Sequence, residues 1–249
     1  MEKSFSVIEV LETSWEITKK NFLVIIGYSV TAFIVLALMQ FTSMFLIGDG
    51  GFLSFIILFL VLILNSMATL GFYKLTFHLI DKEHEDIEVK SVIPTWKNIS
   101  SFITLTLFLG FIVATFNLIY LKLLTISSFS NFINQIKETP IALELLAVVA
   151  FILLMMVTMR FMFFPCFIVD DDSGSIESLR QSRALTQDNL LRIVTVLLIV
   201  VGFIVLGFLA LGVGIIVTYP FTNVILVVTY RKLVNSYVQE HDGQLPSAE

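Results

Sequence analysis

The stretch IEVLETSWEITKKNFL, residues 8–23, returns as IESLRQSRALTQDNLL at residues 176–191. At a shift of 168, Ile8, Glu9, Leu11, Ser14, Thr18, Asn21 and Leu23 reappear as Ile176, Glu177, Leu179, Ser182, Thr186, Asn189 and Leu191. That is seven identities in sixteen positions, against about one expected from average composition. Both copies lead directly into a long apolar run, so the repeated unit is a polar-faced helix feeding a membrane span. Internal similarity of this kind marks a fold built by duplication.

The composition places the spans. With 57% apolar residues, 14% charged residues and a mean hydropathy of +0.94, the 249-residue chain lies outside the range of soluble domains. A helical crossing takes roughly 20 apolar residues, and six stretches qualify or nearly qualify: 22–47, 51–77, 99–120, 141–168, 190–211 and 216–237. A transmembrane barrel would alternate apolar and polar residues, whereas Phe52 to Leu64 is apolar on every side. The expected fold is therefore all-α and integral to the membrane, with six transmembrane helices in three pseudo-repeated units, each an amphipathic interfacial helix plus a helical hairpin. The units fall at about residues 1–80, 81–170 and 171–240 of a single membrane domain, with a polar tail at 241–249. No cleavable signal peptide is evident, so the first span is expected to stay as an anchor. The single cysteine, Cys166, reads as a small buried residue.

Charge sets the expected orientation. Of the 15 Lys and Arg residues, only Lys122 and Lys137 fall between spans one and two, three and four, or five and six. The positive-inside rule then puts both termini and the segments 78–98 and 169–189 in the cytoplasm, as expected of a multipass protein of the bacterial inner membrane. That face also carries Asp81, Glu83, Glu85, Asp86, Glu88 and the triplet Asp170, Asp171, Asp172, so it is not a purely polybasic lipid patch.

In the first copy Phe5, Ile8, Leu11, Trp15 and Phe22 share one helical stripe, which suits a helix lying at the membrane surface with Trp15 at headgroup level. Ser6 and Glu9 have capping-box spacing, and Asn21 and Asn189 are placed to cap spans one and five. The third copy keeps Ile176, Leu179, Leu185 and Leu190 but has Arg183 in place of Trp15, so its apolar stripe is weaker. A fainter middle copy, Ser91, Thr95, Lys97 and Asn98, contains Pro94, so a short or broken helix is expected there. Gly48, Asp49, Gly50 and Gly51 form one tight outer turn and Gly212 with Gly214 another. Pro220 is placed in the opening turn of span six, and a short surface helix is expected within 121–140.

Few residues could carry chemistry. His84 stands among charges of a cytoplasmic connector, with Glu83, Glu85 and Asp86, and reads as solvated rather than as a metal ligand. His78 and His241 belong to no metal motif, and no glycine-rich phosphate loop or GxSxG motif occurs. The Asp170 triplet reads as the end of a span, with Asp172 or Ser173 capping the helix that follows. Glu144 suits a helix N-terminus near the outer surface. The candidate intramembrane polar cluster is Asn65, Ser66, Asn117, Arg160 and Asn223, with Asn65-Ser66 and Thr222-Asn223 matching when counted back from Tyr73 and Tyr230. The expectation is no catalytic residue, no cofactor, no metal and no nucleic-acid partner.

The run Met159-Arg160-Phe161 through Pro165, Ile168-Val169-Asp170, Ser178-Leu179-Arg180-Gln181-Ser182 and Leu185-Thr186-Gln187-Asp188-Asn189 resembles the YciC-like family of bacterial inner-membrane proteins. It also resembles the membrane domain attached to glycerophosphoryl diester phosphodiesterases, as does Pro94 to Thr106. Where those families commonly carry alanine, this chain has Ser178. No counterpart of the phosphodiesterase domain is present, so the resemblance implies no hydrolase activity, and for members without that domain it implies envelope maintenance. The first functional expectation is thus a non-enzymatic scaffold or envelope-homeostasis factor engaging membrane lipids, or a protein partner on the cytoplasmic face. The second is a transporter or flippase-like carrier of a small amphiphile, resting on Asn65, Asn223 and Arg160. A lipid-directed enzyme is third, supported by the resemblance alone.

Overall fold

The computed structural model describes residues 6–46, 52–81, 89–187, 189–210 and 214–242, and every regular element among them is helical. The helices are α1 (Val7–Lys20), α2 (Phe22–Leu46), α3 (Phe52–Asp81), α4 (Val89–Val92), α5 (Trp96–Leu124), α6 (Ser127–Glu138), α7 (Pro140–Phe161), α8 (Phe164–Asp170), α9 (Ser175–Thr186), α10 (Leu190–Leu209) and α11 (Ile215–Asp242). Among the described residues, five stretches are long and apolar enough to cross a membrane: Phe22–Phe45, Ser54–Asp81, Lys90–Leu124, Pro140–Asp170 and Leu190–Leu209. Their apolar side chains face outward over much of α2, α5 and α7, with Phe33, Phe45, Phe111 and Leu145 among those exposed. In water so continuous an apolar surface would be unfavourable, and in lipid it is at home.

The 28-residue α11 falls outside that set because Thr222, Asn223, Arg231 and Lys232 dilute its apolar run. Its position explains why. It packs against α1, α2, α3, α9 and α10, and Val224, Ile225, Val227, Val228, Tyr230 and Leu233 are fully or almost fully buried. A helix shielded by neighbours needs complementary side chains more than an apolar perimeter. Pro220 lies inside this helix, at its sixth residue rather than in its opening turn.

The span expected at 141–168 is broken. The cause is Pro165, which has no N–H and whose ring crowds the carbonyl four residues back, that of Phe161. The chain turns at Met162 and Phe163 between α7 and α8. Ser182 repairs the break from outside: its hydroxyl accepts the Phe163 N–H at 3.2 Å and donates to the Arg160 carbonyl at 3.0 Å. Backbone groups freed inside a membrane helix need such partners.

α1 turns inward a face other than its apolar stripe, and α9 buries Leu185 of its stripe together with small polar residues. α1 buries Val10, Ser14 and Thr18, packing chiefly on α11, while Ile8 is 67% and Trp15 58% exposed and Leu11 is half-buried. α9 buries Ser178, Ser182, Leu185 and Thr186, leaving Leu179 half-buried and Ile176 80% exposed. Small side chains on the inner face let helix backbones approach closely. The apolar stripe is left for whatever surrounds the bundle.

Several expected caps differ. Ser6 makes no side-chain cap; only the reciprocal half of the box forms, as the Glu9 carboxylate accepts the Ser6 N–H. The Asn21 amide donates back to the Ile17 carbonyl at 3.1 Å, and Asn189 makes no cap bond but accepts from Arg192 at 3.2 Å. What these asparagines share is backbone: φ −112° and ψ 29° at Asn21, φ −118° and ψ 21° at Asn189. α9 is capped at Gly174 rather than at Asp172 or Ser173. α4 has four residues, and beyond Pro94 a complete capping box joins Thr95 to Asn98. α6 forms within 121–140 with none of its side chains buried. Phe5, the turn Gly48 to Gly51, the connector with Glu83, His84, Glu85, Asp86 and Glu88, Asp188 and Gly212 lie outside the described residues.

Candidate functional site

The polar positions foreseen within the spans converge only in part. Asn65 of α3 and Asn223 of α11 meet across a cavity of about 260 Å³ whose polar wall also includes Tyr28, Ser29, Thr69 and Tyr219. Three of these six groups are already engaged. Asn223 donates to the Tyr219 carbonyl at 2.9 Å, Ser29 to Ile25 at 2.9 Å and the Tyr28 hydroxyl to Ala68 at 3.0 Å. Ser66 is buried beside Asn65 and donates to Leu62 at 2.7 Å. Arg160 is half-buried at the C-terminal end of α7, away from this cavity. Asn117 is exposed on α5. The group foreseen as one cluster is a pair, Asn65 and Asn223, with Ser66 behind it and two separate residues.

The denser polar site lies at one end of the bundle, where α3, α8 and α11 come together. Arg231 of α11 pairs with Asp170 at 2.9 Å and with Asp81, and its guanidinium sits 4.6 Å from the Phe77 ring centroid. The Tyr230 hydroxyl donates to Asp170 at 3.0 Å. One cation thus joins the ends of two helices to a third, with an aromatic face beneath it. Next to it Lys232 pairs with Glu9 and ties α1 to the same end. The Lys232 ammonium holds the Glu9 carboxyl below its ordinary range, first by hydrogen bond and then by charge.

Asn98 anchors the middle of the chain here. It is 1% exposed; its carbonyl oxygen accepts the Thr95 N–H at 3.0 Å, and its amide donates to the Ile168 carbonyl and to Asp172 at 2.8 Å. Asp172 reaches it from a left-handed backbone, φ 51°, a conformation that Asp tolerates better than most residues. Ser173 donates to Gln181 at 2.7 Å. The acidic triplet therefore divides its labour: Asp170 takes Arg231 and Tyr230, and Asp172 takes Asn98. Asp171 stays at the surface, its carboxyl pushed up first by partial burial and then by the Asp170 charge.

Two features of this site escaped sequence reading. Asn98 was legible as a copy of Asn21 but not as a bridge to residues some seventy positions later. Arg231 stands beside Tyr230 with no local sequence signal that names Asp81 and Asp170 as its partners. Among the described residues no group of three or more His, Cys, Asp or Glu is placed to hold a metal ion, and Cys166 is fully buried.

Among the described residues the geometry is all-helical, with five stretches long and apolar enough to cross a membrane, fastened at one end by a polar clamp. The chain belongs to the family described as a domain of unknown function, DUF7847, whose model matches residues 50–240. That match begins just ahead of α3 and leaves out α1 and α2. No curated protein and no solved structure matches the chain.

Proposed function

We propose that the protein is a multipass component of a bacterial inner membrane, with six crossings in three units and both termini cytoplasmic. Its role on this reading is non-enzymatic: a scaffold or envelope-homeostasis factor that engages membrane lipid, or a protein partner, through its interfacial helices. The resemblance to YciC-like proteins points the same way. Support for the repeats comes from the matching backbones of Asn21 and Asn189 and from the buried pairs Ser14 with Ser182 and Thr18 with Thr186. The length of α11 supports a sixth crossing.

The observation that carries the proposal is α1. It fastens small and polar side chains to α11 and turns Ile8 and Trp15 outward next to Lys19 and Lys20, as a helix at a lipid–water boundary does. Trp15 and Trp96 are the two tryptophans of the chain, so Trp96→Phe leaves one probe. In vesicles its fluorescence should be blue-shifted and quenched by lipids brominated near the headgroup end of the chain. Water-exposed emission that no brominated lipid quenches would refute the placement. The carrier reading is favoured by one observation, the meeting of Asn65 and Asn223 in a cavity. It predicts that Asn65→Leu with Asn223→Leu abolishes movement of a fluorescent amphiphile in proteoliposomes without altering the fold.

A further inference from the structure

Between α1, α10 and α11 runs a second, larger groove of about 510 Å³, within the size range of ligand sites. Its wall is aromatic and apolar: Trp15, Phe22, Phe203, Val217 and Phe221. Phe221 sits edge-to-face with both Trp15, at 5.9 Å, and Phe203, at 5.1 Å. Two features are out of keeping with plain packing. Thr18 lines the groove, is 2% exposed, and its buried hydroxyl has no hydrogen-bond partner; the Thr218 hydroxyl is in the same condition. Other buried hydroxyls of these helices are satisfied, as Ser14 donates to Val10 at 2.6 Å, and a buried donor without an acceptor is unfavourable. Lys19 borders the groove directly beside Thr18 and forms no ion pair with the described residues. Of the nearby carboxylates, Glu9 holds Lys232, and Glu16 shares with Lys19 the border of a second hollow beside Leu79 and Ile80 without pairing with it.

We propose that this groove holds one acyl chain of an anionic phospholipid, with the phosphate at Lys19 and the adjoining glycerol ester accepting the Thr18 hydroxyl. The site rests on the membrane placement of α1 argued above and adds to it a ligand class and a residue for each part of that ligand. Charge selects the headgroup, since a lysine without a carboxylate partner at a groove mouth favours a phosphodiester carrying net negative charge over a zwitterion. The apolar wall takes the chain.

The test uses the full-length Trp96→Phe protein in phosphatidylcholine vesicles, into which phosphatidylglycerol or phosphatidylcholine with mid-chain bromines is titrated. Brominated phosphatidylglycerol should quench Trp15 at about fivefold lower mole fraction, the factor that one lysine near a membrane surface supplies. Lys19→Gln should abolish that preference. Val217→Phe, a change at an exposed position of the groove wall, should weaken quenching by both lipids while circular dichroism stays unchanged. Equal quenching by the two lipids, or indifference to both substitutions, overturns the site and leaves α1 at the membrane. Absence of quenching by either lipid overturns the placement of α1 and the site with it.

Discussion

Replacing Asn98 by Asp keeps size and shape while reversing two hydrogen bonds. An acidic residue in the first turn of a helix is ordinarily stabilising by about 0.3–1 kcal/mol, and the acceptor facing the Thr95 N–H would survive. Here the amide also donates to the Ile168 carbonyl and the Asp172 carboxylate, inside a site where Asn98 is 1% and Ile168 0% exposed. The Asn98→Asp change would leave the Ile168 carbonyl unpaired, at about 1–3 kcal/mol, and would set two carboxylates against each other. The total is about 3–5 kcal/mol, equivalent to a melting point lower by roughly 10 °C. Thermal unfolding of the detergent-solubilised protein reads it. Asp172→Asn should restore part of the loss by supplying the missing donor, at a left-handed position that Asn also tolerates. A variant within about 0.5 kcal/mol of the parent, the ordinary range of surface changes, would refute the bridge, as would a double variant no better than the single one.

Arg231→Met removes the cation between Asp81 and Asp170 and should cost about 3 kcal/mol, part of it recovered by adding Asp170→Asn, both read by thermal unfolding. Because Glu9 is held below its ordinary range by Lys232, its pairing stabilises the folded chain above the unfolded carboxyl's pKa and is lost as pH falls through the lower folded value. The Trp15 signal of the Trp96→Phe protein should report α1 loosening in that acid window, and Glu9→Gln should flatten the profile. Asp171 has the opposite sign: its raised carboxyl opposes folding once ionised, so Asp171→Asn should raise the melting point at neutral pH and leave it unchanged in acid. Gly71→Ala should destabilise the α2–α3 hairpin by about 1–3 kcal/mol, because the new methyl would press on the Tyr28 phenol; unfolding with Tyr28→Phe as the relieving partner checks this.

The helices were legible because their determinants are local. Apolar runs fixed α2, α3, α5 and α10, and the stop at Pro94 and the helix within 121–140 followed from residues in place. The break at Phe163 needed Pro165 to be weighed against a span otherwise long enough to continue. The apolar stripe Ile8, Leu11 and Trp15 was legible as the lipid-facing side of a surface helix, whereas the small residues Ser14 and Thr18 that form the inner face were not singled out. The repeat carried this information, since five of its seven identities are not on that stripe. The clamp of Asp81, Asp170 and Arg231 was not legible because its members lie on three helices, and only their packing brings the charges together.

The arrangement itself is tested by which side of the membrane each helix end occupies. Cysteines placed singly at Glu12 of α1, Lys97 of α5, Glu177 of α9 and Ser128 of α6, all exposed, can be labelled with a membrane-impermeant maleimide in intact cells and again after permeabilisation, while the buried Cys166 stays silent. The account predicts that only the α6 position reacts in intact cells and that the other three react once the inner membrane is opened. Labelling of α1 and α9 from opposite sides would contradict the three-hairpin plan.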